Sequence, residues 1–223
     1  MSQEIKIEKK ASEVIQPKSQ EEARQAIVSK KDLSGADLNG MHLENLNAVG
    51  AILRKTNLSN AHLSKGLLVN PNFYRASMLG ATMQNTVLLG GDLVKTSFKQ
   101  ANISNSGFIG VDAENADFEE ANLRNVGFIS ANLQGANFRN ADLSASRLAN
   151  LNVTDADFSG ADLTGAHAYS IDWEKAKVPP DNLPQPFVKI PTWVWSVLLG
   201  GLLGTITLII YALIRKNKKK LRN

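Results

Sequence analysis

Residues 116–145, divided every five, read ADFEE ANLRN VGFIS ANLQG ANFRN ADLSA. The third residue of each block is large and apolar, and the second is Asp, Asn or, once, Gly. Extended in both directions, this frame runs from Leu33 to Ala168 without an insertion and has 28 centres. Leu, Phe, Ile, Val or Met occupies 25 of them, and Ala48, Ala113 and Ala168 hold the rest. Two residues before the centre the side chain is mostly small, as at Ala36, Ala51, Ala61, Ala76, Ala81 and Ala101. One residue before it, Asp or Asn dominates, as at Asp37, Asn57, Asn102, Asp117 and Asp162.

A period of five fits neither the 3.6 of a helix nor the 2 of a strand. It fits a chain that turns a corner every five residues, with the large and the small residue both inward. The Asp or Asn then sits near the corner, where its side chain can hydrogen-bond local backbone. Successive coils stack at the inter-strand spacing of about 4.8 Å and satisfy one another's backbone groups.

The copies Ala36-Asp37-Leu38, Ala121-Asn122-Leu123, Ala131-Asn132-Leu133, Ala141-Asp142-Leu143 and Ala161-Asp162-Leu163 resemble the pentapeptide-repeat pattern A(D/N)LXX. The resemblance covers residues 31–170. It implies an all-β fold: a right-handed quadrilateral parallel β-helix with four repeats per coil. Twenty-eight repeats then make about seven coils, a stack roughly 34 Å long. Leu67, Val87 and Arg147 replace the usual Asp or Asn, and Pro71, Val111 and Leu151 replace the small residue. Local bulging is expected at these positions.

A four-sided coil predicts correlation at period 20, and the outward positions show it. Val49, Val69, Leu89, Ile109, Ile129, Ala149 and Tyr169 are each 20 apart. The segments around them, GLLVN (66–70), TVLLG (86–90), SGFIG (106–110) and VGFIS (126–130), carry no charge. The equivalent column on the next face, Arg54, Tyr74, Val94, Glu114, Gln134 and Thr154, reads as ordinary surface. A contiguous exposed apolar strip marks an interface or is covered by the chain itself. The candidate interaction face is therefore Val49, Leu67, Val69, Val87, Leu89, Ile109, Ile129 and Tyr169.

The ends divide into further segments. Residues 1–18 are polar and charged and read as a flexible arm. They contain no apolar stretch of the kind a secretory signal requires. Ser19-Gln20-Glu21-Glu22 matches a capping box and opens a capping helix over 19–30, because the open end of a solenoid exposes core and unpaired strand edge. After Ala168 the pattern stops, and Trp173 is placed to close the last coil. Residues 171–191 hold Pro179, Pro180, Pro184, Pro186 and Pro191 and read as a semi-rigid linker. From Ile190 to Ile214 there are 25 residues without a charge, against the about 20 that span a bilayer. A single transmembrane helix is predicted over 192–214. Trp193, Trp195 and Tyr211 are its interfacial residues, and Ser196, Gly200 and Gly204 form a small-residue face that permits close helix contact and a homodimer. Arg215, Lys216, Lys218, Lys219, Lys220 and Arg222, in the tail 215–223, are expected to meet lipid headgroups.

The formal net charge is +4, but it is unevenly placed: the repeats 31–170 carry −3 and residues 171–223 carry +6. The folded part thus lacks the clustered Lys and Arg of a nucleic-acid-binding surface, and no nucleic-acid partner is expected. Cysteine is absent, which excludes disulfides and thiolate metal sites. A solenoid with a filled interior offers no pocket of convergent polar groups, and no phosphate loop, HExxH or GxSxG appears. The chain is expected to be no enzyme and to hold no cofactor. His42 and His62 are 20 apart and should stack in adjacent coils. Two imidazoles fall short of a closed metal site, and they read as surface residues.

The functional expectation is a non-enzymatic scaffold at a membrane, using its apolar face to bind an unidentified protein or to self-associate. The resemblance implies two alternatives: a DNA-mimicking protein that binds topoisomerase, and a secreted bacterial effector reaching a host membrane. The basic tail, read by the positive-inside rule, places the repeats outside. With no export signal in view, a tail-anchored arrangement with cytoplasmic repeats is expected. The abundance of the family in cyanobacteria points to a bacterial plasma or thylakoid membrane.

Overall fold

The computed structural model describes residues 14–186. The predicted transmembrane segment 192–214 lies outside the described residues, as do Ser196, Gly200, Gly204, Trp193, Trp195, Tyr211 and the basic tail. Among the described residues no helix is long and apolar enough to cross a membrane.

The repeats form a parallel β-solenoid that closes every 20 residues. On three faces of each coil the chain makes single-residue bridges to the next, in columns that begin Asp32↔Ile52, Asp37↔Asn57 and His42↔His62. On the fourth face the bridges lengthen into strands: β1 (Asn47–Val49), β2 (Leu67–Val69), β3 (Val87–Leu89), β4 (Gly107–Ile109), β5 (Gly127–Ile129), β6 (Arg147–Leu151) and β7 (His167–Ile171). These pair in sequence order with β8 (Gln185–Pro186) as one parallel sheet.

The second residue of the repeat differs between the two kinds of face, although His42, Ile52, His62, Ser77, Thr82 and Ser97 form bridged faces without Asp or Asn. On the bridged faces its carboxylate or amide oxygen accepts the backbone N–H two residues on: Asn39 N–H donates to Asp37 Oδ1 at 3.1 Å and Arg139 N–H to Asn137 Oδ1 at 3.1 Å. That local bond pulls the backbone into a corner. The same side chains also form ladders between coils, Asn132 Nδ2 donating to Asp112 Oδ1 and Asn137 Nδ2 to Asp117 Oδ1, each at 2.9 Å. On the fourth face this column is Asn47, Leu67, Val87, Gly107, Gly127, Arg147 and His167. From coil two onward no carboxylate or amide is available to make the turn bond, and Asn47 Oδ1 instead accepts the Leu67 N–H of the next coil at 3.0 Å. On this face the backbone runs extended, as strand.

Leu67, Val87, Arg147, Pro71, Val111 and Leu151 therefore fall on one face and the corner that leaves it, and the expected bulging is absent. At the corners between bridged faces the small residue donates its N–H to the preceding centre, as Ala76 does to Phe73 O at 2.7 Å and Ala81 to Met78 O at 3.0 Å. At the corner that enters the sheet Val126, Ser146 and Ala166 do so, whereas the Thr86 N–H donates to Ser106 Oγ at 3.0 Å. The corresponding bond is not made at Ala51, Gly91, Val111 or Ala131. Proline, which has no N–H to give, is accommodated there at Pro71.

A second rule of the corner runs through the whole stack. From Lys30 to Ser170, every residue whose number is a multiple of five has positive φ, from +49° at Asn70 to +78° at Gly35. Gly and Asn are frequent in this column because they enter the left-handed region at least cost. Lys55, Arg75 and Glu120 adopt it too, held there by the ladder bonds on either side.

Inside, side chains stack in columns. Phe98, Phe118, Phe138 and Phe158 lie face to face with centroids 4.8–4.9 Å apart and planes within 4°. Phe108 and Phe128, from the sheet face, meet this ladder edge to face at 5.7–6.4 Å. The edge-to-face contacts are favoured by the ring quadrupole, and the parallel stack follows from the 20-residue repeat. Thr56, Thr86, Thr96 and Ser106 are buried at small-residue positions, and each hydroxyl donates to a carbonyl of the previous coil at 2.7–3.0 Å. Ser146, equally buried, has no partner for its hydroxyl.

Both ends are capped. Helix α1 (Gln20–Val28) lays Ala23, Ala26 and Ile27 on the first coil. Ser19 Oγ accepts the Glu22 N–H at 3.2 Å, while the Glu22 carboxylate accepts the N–H of Lys18, not that of Ser19, at 2.8 Å. Residues 14–18 are not a free arm. Pro17 is buried, Gln16 Oε1 accepts the Asp37 N–H at 2.9 Å, and Val14 lies over Gly35. Residues 171–186 are likewise not a spacer. A 3₁₀ turn, Trp173–Lys175, sets the Trp173 ring edge-on against Phe158 at 5.4 Å. Asp155 and Phe158 donate to Lys175 O and Val178 O at 2.9 Å, and Gln185 donates to Ala166 O at 3.1 Å. Val178 bridges Asp157, and Gln185 and Pro186 pair with His167 and Ala168, so the segment covers the last coil.

Candidate interaction face

The sheet positions the candidate face residue by residue. Its register is Val49↔Val69↔Leu89↔Ile109↔Ile129↔Ala149↔Tyr169. Leu67↔Val87 pair beside it, two residues earlier in their strands. All eight predicted residues thus share one sheet, in two adjacent columns. Alternation along a strand sends the central residue inward and its two neighbours outward, so each coil shows two side chains on this face.

The face is less open than its sequence suggests. Val49, Leu67, Val87, Leu89 and Ile109 are half-buried by their stacked neighbours, and Val69 is buried at 9% exposure. Ile129 at 36% and Tyr169 at 48% stand out furthest. Sequence reasoning missed the role of Gly107 and Gly127, which continue the Leu67–Val87 column. A Cβ at Gly107 would touch only Val87, at 3.9 Å, and one at Gly127 would touch nothing. Along coils four and five, Ile109 and Ile129 therefore form a ridge beside a glycine-floored trough. The signal was present as glycine at a position where the repeat places Asp or Asn. Arg147 and His167 end the uncharged stretch at the C-terminal coils.

The adjacent face is polar, with Arg54 and Arg75 over the Tyr74 ring at 5.3 and 5.2 Å, and on the face beyond it Lys99 pairs with Glu119 at 3.0 Å. On the third face His42 and His62 stack with centroids 4.4 Å apart and planes within 3°.

A closed parallel solenoid whose corners recur every five residues defines the class of protein. The match of residues 90–158 to the pentapeptide repeat region and of residues 32–68 to pentapeptide repeats in eight copies places the chain in the pentapeptide-repeat family. No curated protein matches the sequence. Among solved structures, the chain is similar to trypsin-treated QnrB1, a plasmid-mediated fluoroquinolone resistance protein, at 22% identity over 76% of this chain and 94% of that one, with a TM-score of 0.35. It is also similar to HetL, a pentapeptide repeat protein involved in heterocyst differentiation regulation from the cyanobacterium Nostoc, at 24% identity over 68% and 70% of the two chains, TM-score 0.30. A third is a pentapeptide repeat protein from the Arabidopsis thaliana thylakoid lumen, at 23% identity over 52% and 70%, TM-score 0.28.

Proposed function

We propose that this protein is a non-enzymatic interaction module, held at a membrane by residues 192–214, whose apolar sheet face docks a protein partner. The observation that carries this reading is the in-register column Val49 to Tyr169, which holds no charged side chain. The repeat does not require it, because on the neighbouring face the same position holds Arg54 and Glu114.

The size of the patch defines the kind of binding. Seven strands spaced about 4.8 Å apart make a strip roughly 30 Å long and two side chains wide. That is a few hundred Å², well under the about 800 Å² per partner of a standard stable interface. Such a strip binds weakly alone. Confinement of both partners to one bilayer raises their effective concentration and lets a weak contact hold. A second copy of this chain, brought close through Ser196, Gly200 and Gly204, meets the same condition, and the tail from Arg215 to Arg222 adds attraction to anionic lipid headgroups.

The test is the double substitution Leu89→Asp with Ile109→Asp in the full chain. Loss of cross-linked partner or of the dimer is expected. Unchanged cross-linking and oligomeric state would remove the face from consideration. Membrane attachment is read separately: alkaline extraction should leave the full chain in the membrane pellet and release a chain that ends at residue 190.

A further inference from the structure

The third face carries a group of side chains that the docking reading does not use. His42 and His62 occupy the second position of their repeats, where most repeats place Asp or Asn. Two successive coils thus give up the corner-forming side-chain bond at the one place where their imidazoles can meet. Glu44, two residues beyond His42 and on the same outer surface, completes the group. Its Oε1 lies 3.0 Å from His42 Nδ1, and one ligand atom from each of the three residues falls within 4.8 Å of the others.

The backbone under the group is rigid. His62 N–H donates to Met41 O at 2.9 Å, and Leu43 N–H donates to His62 O at 2.7 Å. The side chains above are free to adjust, since His42 and Glu44 are 55% and 37% exposed. A zinc ion binds imidazole nitrogen and carboxylate oxygen at about 2.0–2.2 Å, which sets tetrahedral ligands about 3.3 Å apart. The His42–Glu44 pair, hydrogen-bonded at 3.0 Å, needs to open only slightly to reach that spacing. Parallel rings direct their in-plane lone pairs side by side, so His62 turns about its side-chain torsions to converge on the same point. Two imidazoles and one carboxylate suit zinc, copper or nickel, whereas magnesium and calcium prefer all-oxygen sets.

We propose that His42, Glu44 and His62 form a surface site for a divalent transition ion of the zinc class, which staples the first coil to the second. His42 and Glu44 belong to the first coil and His62 to the second, so an ion held by all three ties the coils together. Terminal coils of a solenoid have a neighbour on one side only and open first. The site also reaches the N-terminal cap, because Arg24 Nη1 of α1 donates to the Glu44 carbonyl at 2.8 Å. Occupancy therefore protects the end of the stack.

The sequence makes the test clean, since His167 is the sole remaining histidine and cysteine is absent. Zinc ion is titrated calorimetrically into the detergent-solubilised full chain, and amide exchange is followed over residues 33–63. One saturable site is expected, with slower exchange in the first coil. His42→Asn with His62→Asn restores the ordinary repeat residues, keeps the fold by circular dichroism and abolishes both effects. Glu44→Gln weakens binding by ~10-fold or more, since a direct ligand matters at least as much as an outer-shell partner. His167→Ala leaves binding intact. The proposal fails if the wild-type chain shows no saturable uptake, if the double asparagine variant still binds, or if His167→Ala removes the site.

Discussion

Gly91 stands directly above Pro71, one coil later on the corner that leaves the apolar sheet, and its φ is +108°. A Cβ built on Gly91 would come within 2.7 Å of both the Pro71 Cδ and the Pro71 carbonyl oxygen. The pair is a matched substitution in two successive coils: the proline ring fills space that the next residue must leave empty. Gly91→Ala is expected to destabilise the repeats by about 1–3 kcal/mol, from the left-handed backbone and the close approach together. Pro71→Ala should be nearly neutral alone. The double variant should recover only part of the loss, because the carbonyl contact persists. Denaturant melts of the three variants check this.

Buried hydroxyls at the small-residue positions should separate by partner. Thr96 Oγ1 donates to Phe73 O at 2.7 Å, so Thr96→Val should cost about 1 kcal/mol through the lost bond. Ser146 Oγ has no partner, and its column continues with Ala166. Ser146→Ala should be neutral or stabilise by up to about 1 kcal/mol. Opposite signs in paired melting experiments are the expected result.

Phe118 lies at the centre of the aromatic interior, stacked on Phe98 and Phe138 at 4.9 Å and met edge-on by Phe108 and Phe128. Phe118→Ala should cost about 3–5 kcal/mol. Neighbouring rings cannot close the gap, because each is pinned to its own coil. Phe118→Leu should cost clearly less. Amide exchange should show the loss first in the coils carrying Phe98 and Phe138, since a solenoid fails locally.

Acid should loosen the corners. The Ser159 hydroxyl and N–H, with Lys177 nearby, hold the Asp157 carboxyl below its usual range. The Ser34 and Thr164 side chains do the same for Asp32 and Asp162. Each folded pKa is depressed, so the stabilisation is complete above the unfolded carboxylate value of about 4 and is lost as pH falls through the lower folded value. Asp157→Asn keeps an oxygen to accept the Ser159 N–H but does not titrate. Its melting temperature should vary less than the wild type's between neutral pH and pH 3.

The coil itself was legible in sequence because every repeat solves the same local problem. An inward pair such as Ala121 and Leu123 and a corner residue such as Asn122 recur at fixed spacing, and period 20 in the outward residues disclosed the number of sides. The capping signal at Ser19 was readable for the same reason, as a local bond between Ser19 and Glu22. Other features depended on what stacks above and below. Leu67 and Pro71 looked like faults in the repeat, yet they mark the face that becomes sheet and the corner that needs no N–H. The stretch from Pro179 to Pro186 looked like a spacer, yet Gln185 and Pro186 pair with the last coil, whose open edge needs covering. Glu44, which no sequence pattern singles out, has its carboxylate 3.0 Å from His42 beside the stacked His62. The sequence by itself determined the period, the inward columns and the uncharged stripe, since these follow from backbone geometry repeated every five residues. Only the tertiary structure decided which departures are compensated, how far the stripe is exposed and which outer side chains meet, because each depends on residues 20 positions away.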